Sequence, residues 1–203
     1  MSLSNLVAVD VETSGLNPFT HQLLAVGLCP FRSTVAPTTI YVKHDKIVWS
    51  PQASRFFERY QADWEREAVG PATAIRRIEA LFANVSANRP AQLVGHNIAF
   101  DLGFLKQLAS QGGKDELEGV SHRTLDTHTM LFLLNQLGLI PSAAMTSDGA
   151  LKHFGVVVDD SKRHTALGDA IATRQLLQAI LDLFGHVFDQ VEHRNRLAVS
   201  DHS

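Results

Sequence analysis

Asp10 and Glu12 are two acids one residue apart, set in an otherwise apolar run with Val7, Val9 and Val11. A strand turns alternate side chains to one face, so the two carboxylates project together. Two acids on one face of a buried strand are costly unless something pairs with them. A divalent cation is the usual partner for such oxygens. Taken alone, the pair suits equally well a strand that surfaces at its end. Asp101 closes the run His96-Asn97-Ile98-Ala99-Phe100-Asp101 and falls in the first turn of an expected helix. The helix dipole tolerates an anion there, as it does at many helix starts. His164 precedes Asp169 by five positions. That spacing does not place two residues on one helical face, so His164 is expected on a loop or first turn and Asp169 inside the helix.

Each place is weak by itself, because a surface acid or a loop histidine would read the same way. Together they supply what two-metal phosphodiester hydrolysis requires. Several carboxylates in a small volume hold cations that stabilise the attacking and leaving oxygens. A histidine titrates in the range useful for taking a proton from the attacking water. Oxygen ligands without thiolates favour Mg²⁺ or Mn²⁺ over a structural zinc.

The elements that must carry these residues can be read from periodicity and punctuation. Leu6 to Val11, Leu23 to Phe31 and Thr38 to Val42 are expected strands, with Ser14-Gly15-Leu16-Asn17-Pro18 as a turn. Phe57, Tyr60 and Trp64 share one helical face between Pro51 and Glu67, and Ile75, Ile78, Phe82 and Val85 share another after Pro71. Gln92 to Gly95 is a short strand. Helices are expected at Ile98 to Gln111, Leu125 to Leu137 and Ala150 to Phe154. A long one from Thr165 to Phe184 has Gly185 in the place of a C-terminal cap. Ala166, Gly168 and Ala170 are small enough to bring that helix close to another backbone. Strands followed by strands mixed with helices give an α/β or α+β layered fold. The division expected is one domain over 1–185 and a polar C-terminal tail over 186–203, open to disorder.

Composition narrows the function without naming it. The chain has 203 residues, 45% of them hydrophobic, enough for one domain with a full core. A net charge of −3 argues against coating nucleic acid through bulk positive charge, but a carboxylate site is itself negative until metal fills it. The single cysteine, Cys29, rules out an internal disulfide and suits a buried strand position. No apolar stretch is long enough to span a bilayer, and Met1 to Asn5 lacks the basic start and apolar run of a signal peptide. A reducing, cytoplasmic setting without membrane association is therefore expected. There is no glycine-rich phosphate loop and no Gly-x-Ser-x-Gly elbow, which argues against triphosphatase and serine-hydrolase chemistry.

Three motifs in order make a far more specific signal than any one. Asp10-Val11-Glu12-Thr13-Ser14-Gly15-Leu16 resembles the first motif of the DnaQ-like, or DEDDh, 3′→5′ exonucleases. His96-Asn97-x-x-Phe100-Asp101-x-x-Phe104-Leu105 resembles the second, and His164-x-Ala166-Leu167-x-Asp169-Ala170 the third. Leu125-Asp126-Thr127 is similar to the Asp-Thr element that lies between the second and third in many members. The resemblance runs from residue 6 to about 181.

It implies an RNase H-like fold, a mixed five-stranded sheet flanked by helices on both sides. It implies that Asp10, Glu12, Asp101 and Asp169 gather two Mg²⁺ or Mn²⁺ ions, with Asp10 bridging both and His164 as general base. The product would be a nucleoside 5′-monophosphate, released from a single-stranded DNA or RNA 3′ end. The backbone around Val11, Glu12 and Thr13 would hold the terminal 3′-OH. Leu16 would wedge against the last base, with Phe100 and Asn97 beside it. Lys162 and Arg163 would steady a phosphate. A polymerase or repair partner is in keeping with the family. Ser14 stands where oligoribonucleases of the family tend to carry methionine, which argues against dinucleotide scavenging. The segment from Asp45 to Ala68, rich in aromatic and charged residues, is not explained by the resemblance; members of the family often bind substrate or a partner near such insertions, but a helix packed on the sheet edge is the preferred expectation for it. The alternative is an exonuclease fold that has lost catalysis and serves as a binding module. Such a module is expected to lose one or more of the five site residues, and all five are present.

Overall fold

The valines of the first strand decide where the sheet lies. In β1 (Leu6–Thr13) the side chains of Val7, Val9 and Val11 join one core, while Leu6 and Ala8 face the opposite way. A strand buried on both faces is the central strand of a layered fold. In the computed structural model of the chain, which describes residues 3–31, 34–85 and 88–200, β1 is indeed central. β2 (Leu23–Pro30) pairs antiparallel with it and β3 (Thr38–Tyr41) pairs antiparallel with β2. On the other side, β4 (Gln92–Gly95) runs parallel to β1 and β5 (Leu125–Asp126) parallel to β4. The order is β3-β2-β1-β4-β5, the mixed five-stranded RNase H-like arrangement.

The helices cover the two faces. α1 (Pro51–Phe57) and α2 (Gln61–Glu67) lie beyond β3 in sequence. α3 (Pro71–Val85) and α4 (Ile98–Gln111) bury Ile75, Ile78, Phe82, Phe104 and Leu108 against the valine face. Fully burying side chains of this size stabilises by roughly 1.5–3 kcal/mol each. α5 (Thr127–Gln136), α6 (Ser147–His153) and α7 (Ala166–Ser200) make a second cluster through Leu131, Leu134, Leu151 and Leu176. α7 also crosses the sheet's other face, where Ala170 meets Ala8 and Cys29. Cys29 is thus the buried small apolar residue its setting suggested.

The expected small-residue approach is a contact between backbones. A methyl group on Gly27 would lie 2.1 Å from the carbonyl oxygen of Ala166. Gly27 is also the cross-strand partner of Asp10. Gly27→Ala is therefore expected to push the start of α7 away from β1. Overpacking of this kind typically costs about 1–3 kcal/mol. A clear fall in melting temperature, with a loss of activity that tracks it, is the expected result. A variant that melts and cuts like the parent would show that the approach is not required.

Three expectations need correction. Leu125 and Asp126 form a two-residue strand, and only then does a helix begin at Thr127. The run between Pro51 and Glu67 is two helices broken after Phe57, not one. Gly185 does not end the last helix, which continues through it to Ser200. Nothing crowds Gly185, so its lack of a side chain neither stops nor is required by the helix.

Candidate active site

Three elements and a loop meet at one place. β1 delivers Asp10 and Glu12 on the face turned towards α7, as strand alternation requires. α7 brings Asp169 in its first turn, and α4 brings Asp101 in its first turn. Carboxylate oxygens of Asp10, Glu12 and Asp169 all lie within 4.8 Å of one another. Asp101 sits beside this trio and is 4% exposed. His164, on the loop before α7, donates its backbone N–H to Oδ2 of Asp169 at 3.2 Å.

Crowding these acids changes their chemistry. Burial, then the charges of Asp101, Glu12 and Asp169, raise Asp10 well above the ordinary carboxylate range. Burial, followed by Asp169, pushes Glu12 from 4.5 to about 8. Burial lifts Asp101 to about 7, against hydrogen bonds from the backbone of Asp101 and Val11. Asp169 is raised by burial and held back by Arg163 and His164. The donor set is four carboxylates, all hard oxygen ligands, whose mutual repulsion a divalent cation would relieve. The residues therefore fit Mg²⁺ or Mn²⁺.

A stability prediction follows from these shifts. Folded, each acid holds its proton more tightly than in the unfolded chain. From about pH 4.5 to about 8, the window set by Glu12, the folded state carries the extra protons. The stability this contributes is fully present below that window and is lost as pH rises through it. Metal-free protein should melt at lower temperature at about pH 8.5 than at about pH 5.5, and added Mn²⁺ should raise melting more at the higher pH. A melting temperature that climbs across the window in chelator would contradict the crowding.

Arg163 departs from the role expected for it. Its guanidinium donates through Nη1 to Oδ1 of Asp169 and through Nη2 to Asp148 at 2.7 Å. The side chains of Arg163 and Asp169 are 15% and 17% exposed, so this is a sheltered pair rather than a free phosphate contact. Lys162 is exposed beside it.

In front of the acids lies a cleft of about 720 Å³, within the range of small-ligand sites. Val11, Glu12, Thr13, Leu16, Phe100 and His164 line it. Leu16 stands 78% exposed at its mouth, and the ring of Phe100 is steadied by Phe104 at 5.1 Å. Asn97 is not among the lining residues. It turns the backbone into α4 with φ 65, and its N–H is held by Asp126 Oδ1 at 2.8 Å. Asp126 also caps α5 through the N–H of His128 and accepts from the hydroxyl of Thr129. The Asp-Thr element thus fixes the turn that launches Asp101.

The wall opposite comes from the segment for which packing on the sheet edge is the preferred expectation. Ser50, Pro51, Gln52, Ala53 and Phe56 line the cleft, so the 45–68 segment belongs to the site as well as to the sheet edge. Ser50 donates its N–H to the carbonyl of Ser14 at 2.8 Å, tying α1 to the loop after β1. α2 does pack on the edge strand, where Trp64 Nε1 donates to the carbonyl of Val42 at 2.9 Å. No local periodicity announces such a wall, because its contacts are with residues distant in sequence. Among the described residues, no helix is long and apolar enough to cross a membrane.

Known proteins are similar to this chain in sequence and in fold. A family model described as exonuclease, RNase T, matches residues 7–177. Ribonuclease T of Hahella chejuensis is 27% identical over 212 residues, 92% of this chain and 89% of that protein. A DNA polymerase III subunit epsilon-like protein of Rhodobacter capsulatus is 31% identical over 137 residues, 64% of this chain but 18% of that protein. The chain therefore spans less than a fifth of that relative's length. In structure, E. coli exonuclease I in complex with a dT13 oligonucleotide matches with a TM-score of 0.74 at 17% identity. That match covers 91% of this chain and 42% of the other, and it speaks to the fold. With the family matched along most of its length and the acids of its first and third motifs gathered in one cleft, the chain belongs to the RNase T family of DnaQ-like 3′→5′ exonucleases.

Proposed function

We propose that this chain is a DEDDh-type exonuclease that removes nucleoside 5′-monophosphates one at a time from a single-stranded DNA or RNA 3′ end, using two Mg²⁺ or Mn²⁺ ions. The observation that carries this reading is the convergence of Asp10, Glu12 and Asp169, with oxygens within 4.8 Å of one another, on the floor of a cleft that His164 overlooks. Asp10, Glu12 and Asp169 would hold one cation, and Asp10 with Asp101 the second. Bound there, such ions supply charge for the attacking and leaving oxygens and ease deprotonation of water.

The remaining work falls to this chain's own side chains. His164 takes the proton from the attacking water. The backbone at Val11 to Thr13 receives the terminal 3′-OH. Leu16 and Phe100 pack on the last base, and stacking of this kind accepts any base. A polymerase or repair complex is the proposed setting, in view of the epsilon-like relative.

The test uses DNA and RNA oligonucleotides labelled at the 5′ end, with Mn²⁺ present or chelated. A ladder shortening from the 3′ end, absent in chelator, is expected, and the polymer that gives the ladder names the substrate. Cutting of a sealed circle would rule out the exonuclease reading. Silence on both polymers with Mn²⁺ would instead favour the binding module.

A further inference from the structure

His164 is an exposed residue on a loop, yet its backbone is unusual. Its φ is 57, a left-handed conformation that a residue with a side chain adopts only when its surroundings demand it. Several elements supply that demand. The N–H of His164 is bound to Asp169 of α7. The side chain of Arg163, next in the chain, is fastened to Asp169 and to Asp148 of α6. The third fastening comes from the segment the family resemblance leaves unexplained. Arg59, in the turn between α1 and α2, donates through Nη1 to the carbonyl of Arg163 at 3.1 Å, across 104 positions of sequence. One turn earlier, the ring of Phe56 lies 5.2 Å from the His164 imidazole, tilted by 42°. The peptide that joins Arg163 to His164 is therefore gripped by α7 on one side and by the α1–α2 turn on the other.

A general base acts only when its lone pair meets the proton it must remove. An imidazole on an unrestrained loop samples many directions, and fixing it removes that entropy from the barrier. We propose that Phe56 and Arg59 are positioning residues that hold the His164 loop and ring in place over the carboxylates, so that the 45–68 segment sets the base. This rests on the reading of His164 as general base. Phe56 also lines the cleft, so a nucleotide bound there and the imidazole share one wall.

Arg59 is exposed and makes a single hydrogen bond to the loop, so its substitution leaves the core untouched. The experiment compares Arg59→Met, Arg59→Lys, His164→Ala and the Arg59→Met/His164→Ala double variant at saturating Mn²⁺. Two quantities are read. One is kcat and KM on a labelled single-stranded oligonucleotide. The other is the ring resonance of His164 in ¹³C-histidine-labelled protein, assigned by its absence from His164→Ala. Arg59→Met should lower kcat about tenfold, within the loss that a small misplacement causes, and should leave KM within about twofold. Its His164 resonance should move towards that of an unrestrained histidine as the ring leaves Phe56. Arg59→Lys should restore both, since one N–H donor suffices. On the His164→Ala background, Arg59→Met should cost nothing further, because the two act as one unit.

An unmoved resonance in Arg59→Met overturns the clasp, whatever the rates. So does an undiminished Arg59→Met penalty on the His164→Ala background. A native rate for His164→Ala overturns the assignment of the base instead, and the resonance still decides whether Arg59 holds the loop.

Discussion

Asp10→Ala is expected to abolish metal-dependent cleavage while leaving the fold intact. Asp10 lies among the three other acids, and Asp101, Glu12 and Asp169 each raise its pKa. Its loss removes the ligand that both proposed cations share. Metal ions in such sites supply several kcal/mol of transition-state stabilisation, so the rate should fall by about 10³–10⁵-fold. The fold should tolerate the change, because Asp10 keeps its backbone pairing with Gly27. Removing one of four crowded like charges should even raise the melting temperature of metal-free protein. Melting curves with and without Mn²⁺ separate the two effects. The variant should melt higher than the parent in chelator and gain little from the metal. Activity within tenfold of the parent would falsify the assignment of Asp10.

His164→Ala should lower kcat by about 10²–10⁴-fold, the usual reach of general acid–base catalysis. The substitution is clean in one respect. His164 touches Asp169 through its backbone N–H, which alanine retains. The Mn²⁺-induced rise in melting temperature should therefore survive, in contrast to Asp10→Ala. Alanine is no better suited than histidine to a φ of 57, so the substitution also loads the loop. His164→Asn answers this, because asparagine tolerates the left-handed backbone. Both variants should be slow by similar factors. A fast asparagine variant would mean that the loop, not the imidazole, does the work.

What the sequence revealed of this site depended on how local each signal was. Asp10 and Glu12 are legible because strand alternation alone puts them together. Asp101 is legible because a strand, a turn and a helix start follow one another within ten residues. His164 and Asp169 have no shared face, and only the order of the three motifs tied them to the others. β5 escaped because two residues cannot display a period; it is a strand only by virtue of lying beside β4. The break between α1 and α2 escaped because Phe57, Tyr60 and Trp64 keep helical spacing across it. Arg163 was visible as a cation beside the base, but its partners Asp148 and Asp169 are set by how α6 packs on α7. Asn97 carries a motif signature, yet its φ of 65 and its bond to Asp126 commit it to turning the chain. Contacts of that kind exist only after folding.

The seating of α7 against Gly27 has a bearing on how the protein is made. Asp10 precedes Asp169 by most of the described fold, so translation delivers the first motif well before the third. The nascent chain then carries acids from the first two motifs without the third. The cluster of Asp10, Glu12 and Asp169 cannot gather until α7 has been made and has docked. The order of synthesis thus delays assembly of the acidic cluster until α7 is seated on the sheet.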